Sequence, residues 1–382
     1  PACVQACPAG AIEIETVPLA QIYAEHMENG VGPDMPNPNI TIPSTKITLP
    51  KGMDIEKFTK VDQPFVKPEH PHTPLIVMTV LTQLGFGGFT TIFLVDLIRT
   101  LFFQASETGT LLGWLAPTLF GIVGASLGAS TLHLGRPVYA GRALKNWKTS
   151  WLSREVLGLS AFAGAAMVYT VFLFVTEAFQ WLEPAQLGGS AVRLLLGAGT
   201  VGCGIAGIYC SSMLYRVPAR PAWDSIKTTI DFFDVAAILG PASFILAASA
   251  AQLIIGEPVP FLAGAIKVSA AFTALAFIFK HTKNAYIIRK WSESDVFELK
   301  ASAGLRLKNF FRLRLIRNSI GVIGLLMLPA FMAGFHSTVL ALFTLLLFTA
   351  VSFINRYIFF VSVVPRNIPG NYMIAATETA HP

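Results

Sequence analysis

Charge is what this sequence has least of. Only 13% of its 382 residues are Asp, Glu, Lys or Arg, against roughly 25% in soluble globular domains. A surface wetted on all sides is therefore excluded. Acids are the scarcer sign, 22 against 28 Lys and Arg, for a net charge of +6. There is no ladder of carboxylates or lysines along the apolar runs, which argues against a proton pump; Lys267 is the main mid-run ionisable residue. Cysteine is rare, with four residues. Cys203 and Cys210 share one apolar run at a spacing of about two helical turns, too far apart for a disulfide, and read as small buried side chains. The sequence opens on Pro1, which is not an initiator methionine. No internal repeat stands out, and no nucleic-acid partner is expected.

What is present is apolar. Hydrophobic residues make up 53% of the chain, and the mean hydropathy is +0.59. From Leu75 onward the apolar runs approach the ~20 residues needed to cross a bilayer as a helix. Eight spans can be drawn, at about 75–102, 112–132, 155–179, 190–214, 232–254, 260–282, 317–335 and 337–361. In lipid only helices satisfy their own backbone groups at that length. The expected fold class is an all-α membrane protein: an eight-helix transmembrane bundle with an extramembranous N-terminal ferredoxin tail and proline-rich arm. Glycine-rich stretches such as "GIVGASLG" (121–128) and "GAGTVGCGIAG" (197–207) suit close helix packing.

The division reads as 1–14, the end of an iron–sulfur domain; 15–74, an extended proline-rich arm; 75–365, the membrane part; and 366–382, a tail. Prolines at the density of "PDMPNPNITIP" disfavour long helices and central strands. His26, His70 and His72 read as surface residues. Lysine and arginine gather on one side of the spans: in the arm, in the second-to-third loop, in 216–227 and in 280–317. The opposite side offers little beyond Arg193 and Arg99. The positive-inside rule then places both termini in the cytoplasm of an inner-membrane protein, although a docked subunit would also explain a basic face.

Two stretches carry chemistry. "PACVQACP" has the C-x3-C-P spacing that ends a bacterial ferredoxin run, with Cys3 and Cys7 as expected ligands of 4Fe-4S clusters and the remaining ligands expected upstream of Pro1. The second is "STLHLGRPVYAGRALKNWKTSWLSREVLGLSAF" (130–162). His133 closes the second span and Glu155 opens the third, on the basic side. Between them lie Arg136, Tyr139, Arg142, Trp147, Trp151 and Arg154. Ionisable groups at membrane depth are functional candidates by default. Quinone chemistry needs a polar partner at each ring oxygen and a route for two protons, and histidine titrates in the right range. The bland alternative is that these are ordinary interface residues, with Ser153 capping a helix and Glu155 favouring its N-terminus.

"LHLGRP" followed by "RALKNWKTSWLSREV" resembles the anchor subunits of the dimethyl sulfoxide reductase type, and more closely those of cytoplasm-facing sulfite dehydrogenases. "PACVQACPAGAI" resembles the end of the four-cluster ferredoxin subunit that accompanies them, as if the two were fused. The likeness covers about 72–365; "YRVPARPAW" (215–223) and "NRYIFF" (355–360) also match. It implies a haem-free bundle that binds quinol beside the nearest cluster. His133 and Glu155 take the family's quinol-linked positions, and Arg136, Tyr139, Arg154 and Arg356 are expected around the quinone, with Arg136 and Arg154 holding Glu155 charged. The implied partners are a ferredoxin-type iron–sulfur subunit (or upstream part of the same polypeptide), a molybdopterin catalytic subunit, menaquinone or ubiquinone, and the bilayer.

The expected function is that of a quinone-reactive membrane anchor of a molybdopterin oxidoreductase, serving sulfite oxidation or sulfoxide- or N-oxide-type reduction. The alternative is a proton-translocating or purely structural anchor. Bis-histidine haem is not expected, since His281 and His336 lie toward opposite ends of the bundle. Asp96 and Arg99 suit a structural ion pair, and Lys267 a snorkelling side chain.

Overall fold

A computed structural model describes residues 12–29, 58–59, 66–103, 109–131, 137–180, 189–256, 259–366 and 374–375. Eight helices among them are long and apolar enough to span a membrane. They are α2 (Thr73–Phe103), α3 (Gly109–Thr131), α4 (Trp151–Ala178), α5 (Gly189–Tyr215), α6 (Ile226–Ile255), α7 (Pro260–Ser292), α9 (Phe311–Met332) and α10 (Thr338–Val361). Among the described residues two short α-helices lie outside them, α1 (Leu19–Asn29) and α8 (Phe297–Gly304). The helical fold class and the eight spans expected from the sequence are those observed.

The chain divides into two compact units, Pro1–Val66 with Arg366–Pro382, and Lys67–Pro365. In the first, Phe58–Thr59 (β1) pairs antiparallel with Ile374–Ala375 (β2), joining segments that the sequence treats separately. The arm is also not extended throughout. Leu19–Asn29 is helical because Pro18 precedes its first turn, where a missing N–H costs nothing, and the next proline is Pro33. His26, expected on the surface, is buried.

In the second unit α2 runs through the middle of the bundle and packs on α3, α5, α6 and α10. Glycine allows the closest of these approaches. A Cβ on Gly87 would lie 2.2 Å from the carbonyl oxygen of Ala236, and one on Gly240 would lie 2.3 Å from the backbone of Gly87. Helices α2 and α6 therefore touch backbone to backbone. In the core of this unit Phe89, Phe162, Phe232, Phe244 and Phe348 are fully buried. Large apolar side chains also cover the outside, with Ile254 85% exposed, as expected of a surface solvated by lipid tails.

Lys67 leads into α2 at one end of the bundle, here the entry end; the other is the far end. At the far end α2 and α4 each finish in a π-helical turn, Arg99–Phe103 and Phe174–Ala178. These turns aim Arg99 and Glu177 inward. Arg99 donates to Asp96 at 2.8 Å, and Arg193 of α5 donates to Asp96 at 2.9 Å, to Glu177 at 2.5 Å and to Thr100 at 3.0 Å. The expected Asp96–Arg99 pair thus belongs to a larger, charge-balanced network. Lys267 is exposed beside Gly334 in the far-end loop, consistent with snorkelling. Cys203 and Cys210 are free.

Candidate functional site

Glu155 anchors the site at the entry end. Helix α4 begins at Trp151, and its N-cap is Ser150, not Ser153: the Ser150 hydroxyl accepts from the Ser153 backbone N–H at 3.4 Å. That earlier start puts Glu155 a full turn inside the helix, where it is 5% exposed. Helix α5 lies hard against this face, since a Cβ on Gly158 would meet Gly207 at 2.9 Å. The close approach brings Ser211 within reach, and its hydroxyl donates to the Glu155 carboxylate at 2.6 Å.

One turn beyond Ser211 on α5 is Tyr215, whose ring is buried among Trp223, Phe232, Phe359 and Phe360 at centroid distances of 5.4–5.7 Å. Its phenol lies within electrostatic range of both Glu155 and Arg356. Arg356, on α10, is buried. Its guanidinium donates to Gln83 of α2 at 2.8 Å and rests over the Phe232 ring at 4.0 Å. Glu155–Ser211 and Arg356–Gln83 are thus two hydrogen-bonded pairs with Tyr215 in the field of both, a polar row drawn from α2, α4, α5 and α10 inside an apolar wall. It offers a carboxylate that can take up a proton, hydroxyl donors and a fixed cation, a set suited to an uncharged ring with polar oxygens at opposite ends.

Of the residues expected from sequence, Glu155 and Arg356 both lie at this end of the bundle, with Tyr215 in the field of each. Arg154 points elsewhere: its guanidinium donates to the carbonyls of Trp147 (3.0 Å) and Lys148 (2.6 Å) and covers the Trp151 ring at 4.4 Å, with no ion pair to Glu155. Tyr139 belongs to the 3-10 helix Pro137–Asn146. His133, Arg136, Cys3 and Cys7 lie outside the described residues. Among the described residues no group of His, Cys, Asp and Glu is placed to hold a metal ion.

Ser211, Tyr215 and Gln83 were not singled out from the sequence. Each left a trace: Gln83 is the lone amide in α2, and Ser211 and Tyr215 continue the face opened by Gly204 and Gly207 at helical spacing.

Eight long apolar helices in one bundle define an integral, multi-pass membrane protein. The profile of the DMSO reductase anchor subunit (DmsC) matches residues 68–361, and the chain belongs to that family. It is 32% identical over 222 residues to a protein named as a subunit of sulfite dehydrogenase in Allochromatium vinosum, covering 56% of this chain and 65% of that one. It is 27% identical over 166 residues to a protein named as part of the anaerobic dimethyl sulfoxide reductase of Haemophilus influenzae, covering 42% of this chain and 52% of that one. The matches thus span less than two thirds of either relative.

Proposed function

We propose that this chain is the quinone-reactive anchor of a molybdopterin oxidoreductase complex, exchanging electrons between membrane quinone and an iron–sulfur partner at the entry end. The observation that carries the reading is the buried Glu155 carboxylate, held by Ser211 at the mouth of the bundle, with Tyr215 in the field of both Glu155 and Arg356. The balanced chemistry is quinone plus two electrons and two protons giving quinol, or its reverse. Glu155 and His133 hold or release the protons at the ring oxygens. Ser211, Tyr215 and Arg356 orient the ring. The aromatic wall of Phe232, Phe359 and Phe360 excludes water from it.

The electrons pass to or from the partner, for which Cys3 and Cys7 are proposed 4Fe-4S ligands shared with residues upstream or on a separate subunit. Molybdenum catalysis belongs to a further subunit, with sulfite or a sulfoxide as the candidate substrate classes suggested by the relatives' names. The basic entry end is proposed as the cytoplasmic face of the inner membrane.

The test is kinetic. In the assembled complex Glu155→Gln and His133→Ala are expected to lower quinone-linked turnover roughly tenfold or more, the scale of a lost general acid or base, while artificial-dye turnover persists. Normal quinone turnover in both variants would send the search to another part of the bundle.

A further inference from the structure

Next to the polar row, and sharing Arg356 and Phe359 with it, is a second buried constellation. A cavity of about 40 Å³ lies among α6, α7, α9, α10 and the turn Leu305–Asn309. That exceeds the roughly 10–15 Å³ that one water needs. Six of its fourteen lining residues are cations, Lys227, Lys280, Arg306, Arg314, Arg317 and Arg356, against one acid, Asp231. Two acids stand in or near it, Asp231 and Asp234. Lys227 and Lys283 both bind Asp231, the latter at 2.6 Å, and Lys283 also binds Asp234. Those acids are thereby matched. Lys280, Arg306, Arg314, Arg317 and Arg356 have no carboxylate within ion-pair distance among the described residues.

Neutral acceptors hold the arginines instead. Arg306 donates to the Ser362 hydroxyl at 2.7 Å and covers the Trp291 ring at 4.8 Å. Arg317 donates to Asn355 at 2.9 Å and to Asn318 at 2.7 Å. Arg314 donates to the Arg306 carbonyl at 3.2 Å, and its Nε is buried without a partner. In the same wall the Ser352 hydroxyl, 1% exposed, and the Asn355 amide nitrogen are also buried and unpartnered. Burial, opposed by the Asp231 charge and then reinforced by Arg317 and Arg314, pulls the Arg306 guanidinium down to about 10. Like charges withdrawn from water are costly unless a counter-ion completes them. Forked guanidinium groups suit the oxygens of a phosphate better than those of any single-point acceptor.

The position narrows the source. Arg314 and Arg317 stand at the start of a span, and their neighbours Leu315 and Ile316 are 56% and 51% exposed on the lipid-facing surface. A group entering there arrives from the headgroup layer with apolar tails alongside. Basic pockets between spans at this level are suited to anionic headgroups. We propose that this cavity binds the phosphate oxyanion of an anionic phospholipid headgroup.

The test uses the full chain, within its complex where one is isolated, washed in detergent and returned to bilayer discs of phosphatidylcholine alone or mixed with phosphatidylglycerol. Unmodified protein is expected to keep phosphatidylglycerol through the wash, seen by native mass spectrometry, and to melt higher in the mixed discs. Arg314→Gln and Arg317→Gln should each weaken that retention about fivefold, the worth of one surface cation toward an anionic lipid, with Arg317→Lys losing less. Equal release of both lipids by the unmodified protein overturns the proposal without reference to any variant. A third arm adds inorganic phosphate to lipid-depleted protein. If phosphate raises the melting temperature while lipid charge changes nothing, the oxyanion site stands and its occupation by lipid falls. Since the readouts are lipid retention and melting, the outcome is separable from quinone turnover.

Discussion

Both ends of the bundle bury charge, and they treat it differently. At the far end Asp96 and Glu177 meet Arg99 and Arg193, each side chain answered by another, with the sum at zero. At the entry end the cations outnumber the acids that touch them, and Glu155 is held by a hydroxyl instead of a cation. A closed network has no valence left for a ligand, so the far end reads as a clamp between α2, α4 and α5. The entry end keeps donors and acceptors in hand, which is what a site that receives molecules requires.

The sharpest way to break this contrast is at the clamp. Asp96→Ala leaves Arg99 and Arg193 short of a buried counter-charge and is expected to cost about 3–5 kcal/mol, read as a fall in melting temperature, while quinone turnover per folded molecule holds. A stable variant with lost turnover would reverse the roles assigned to the two ends. Next in size, Gly87→Ala drives a methyl into the Ala236 carbonyl. The expected cost is about 1–3 kcal/mol, with quinone turnover falling because Gln83 and Arg356 share the disturbed crossing. Tyr215→Phe keeps the buried ring and removes only the hydroxyl. Stability should stay near that of the parent while quinone turnover drops several-fold, the worth of about 1 kcal/mol for one hydrogen bond; an unchanged rate would remove Tyr215 from the site.

The smallest effect belongs to His336, in the far-end loop. Burial and then the Lys267 charge lower its pKa in the folded protein. As pH falls through the ordinary imidazole value near 6.5, the unfolded state takes up the proton first, so stability declines on the acid side and is regained on the alkaline side. His336→Gln should flatten that slope in melting curves recorded from about pH 5 to 8.

The spans were legible because the bilayer demands length and apolarity together. Their ends were less so, because charge was taken as the boundary. The sequence closes one span near 282 and opens others near 232 and 317, yet α7 continues to Ser292, α6 begins at Ile226 and α9 at Phe311. Those extensions carry Lys227, Asp231, Lys283 and Arg314, and the cationic cavity was hidden with them. Glu155 stood out as an acid at the mouth of an apolar run, and Arg356 as a cation within one. Ser211 and Gln83 did not, because what gives them a role is a partner on another helix, 56 residues away for Ser211 and 273 for Gln83. Local periodicity holds no record of such pairings.

The π-helical turns at the ends of α2 and α4 have a consequence for how this sequence can change length. Such a turn is an α-helix with one residue too many, so it works as a phase shifter: everything after it is rotated by about 100° relative to an uninterrupted helix. Deleting a single residue from Phe174–Ala178 would leave a regular helix of ordinary composition. It would also swing the helix end around its axis and carry the Glu177 carboxylate off Arg193. At these two places a one-residue gap between related sequences is a change of angle rather than of length.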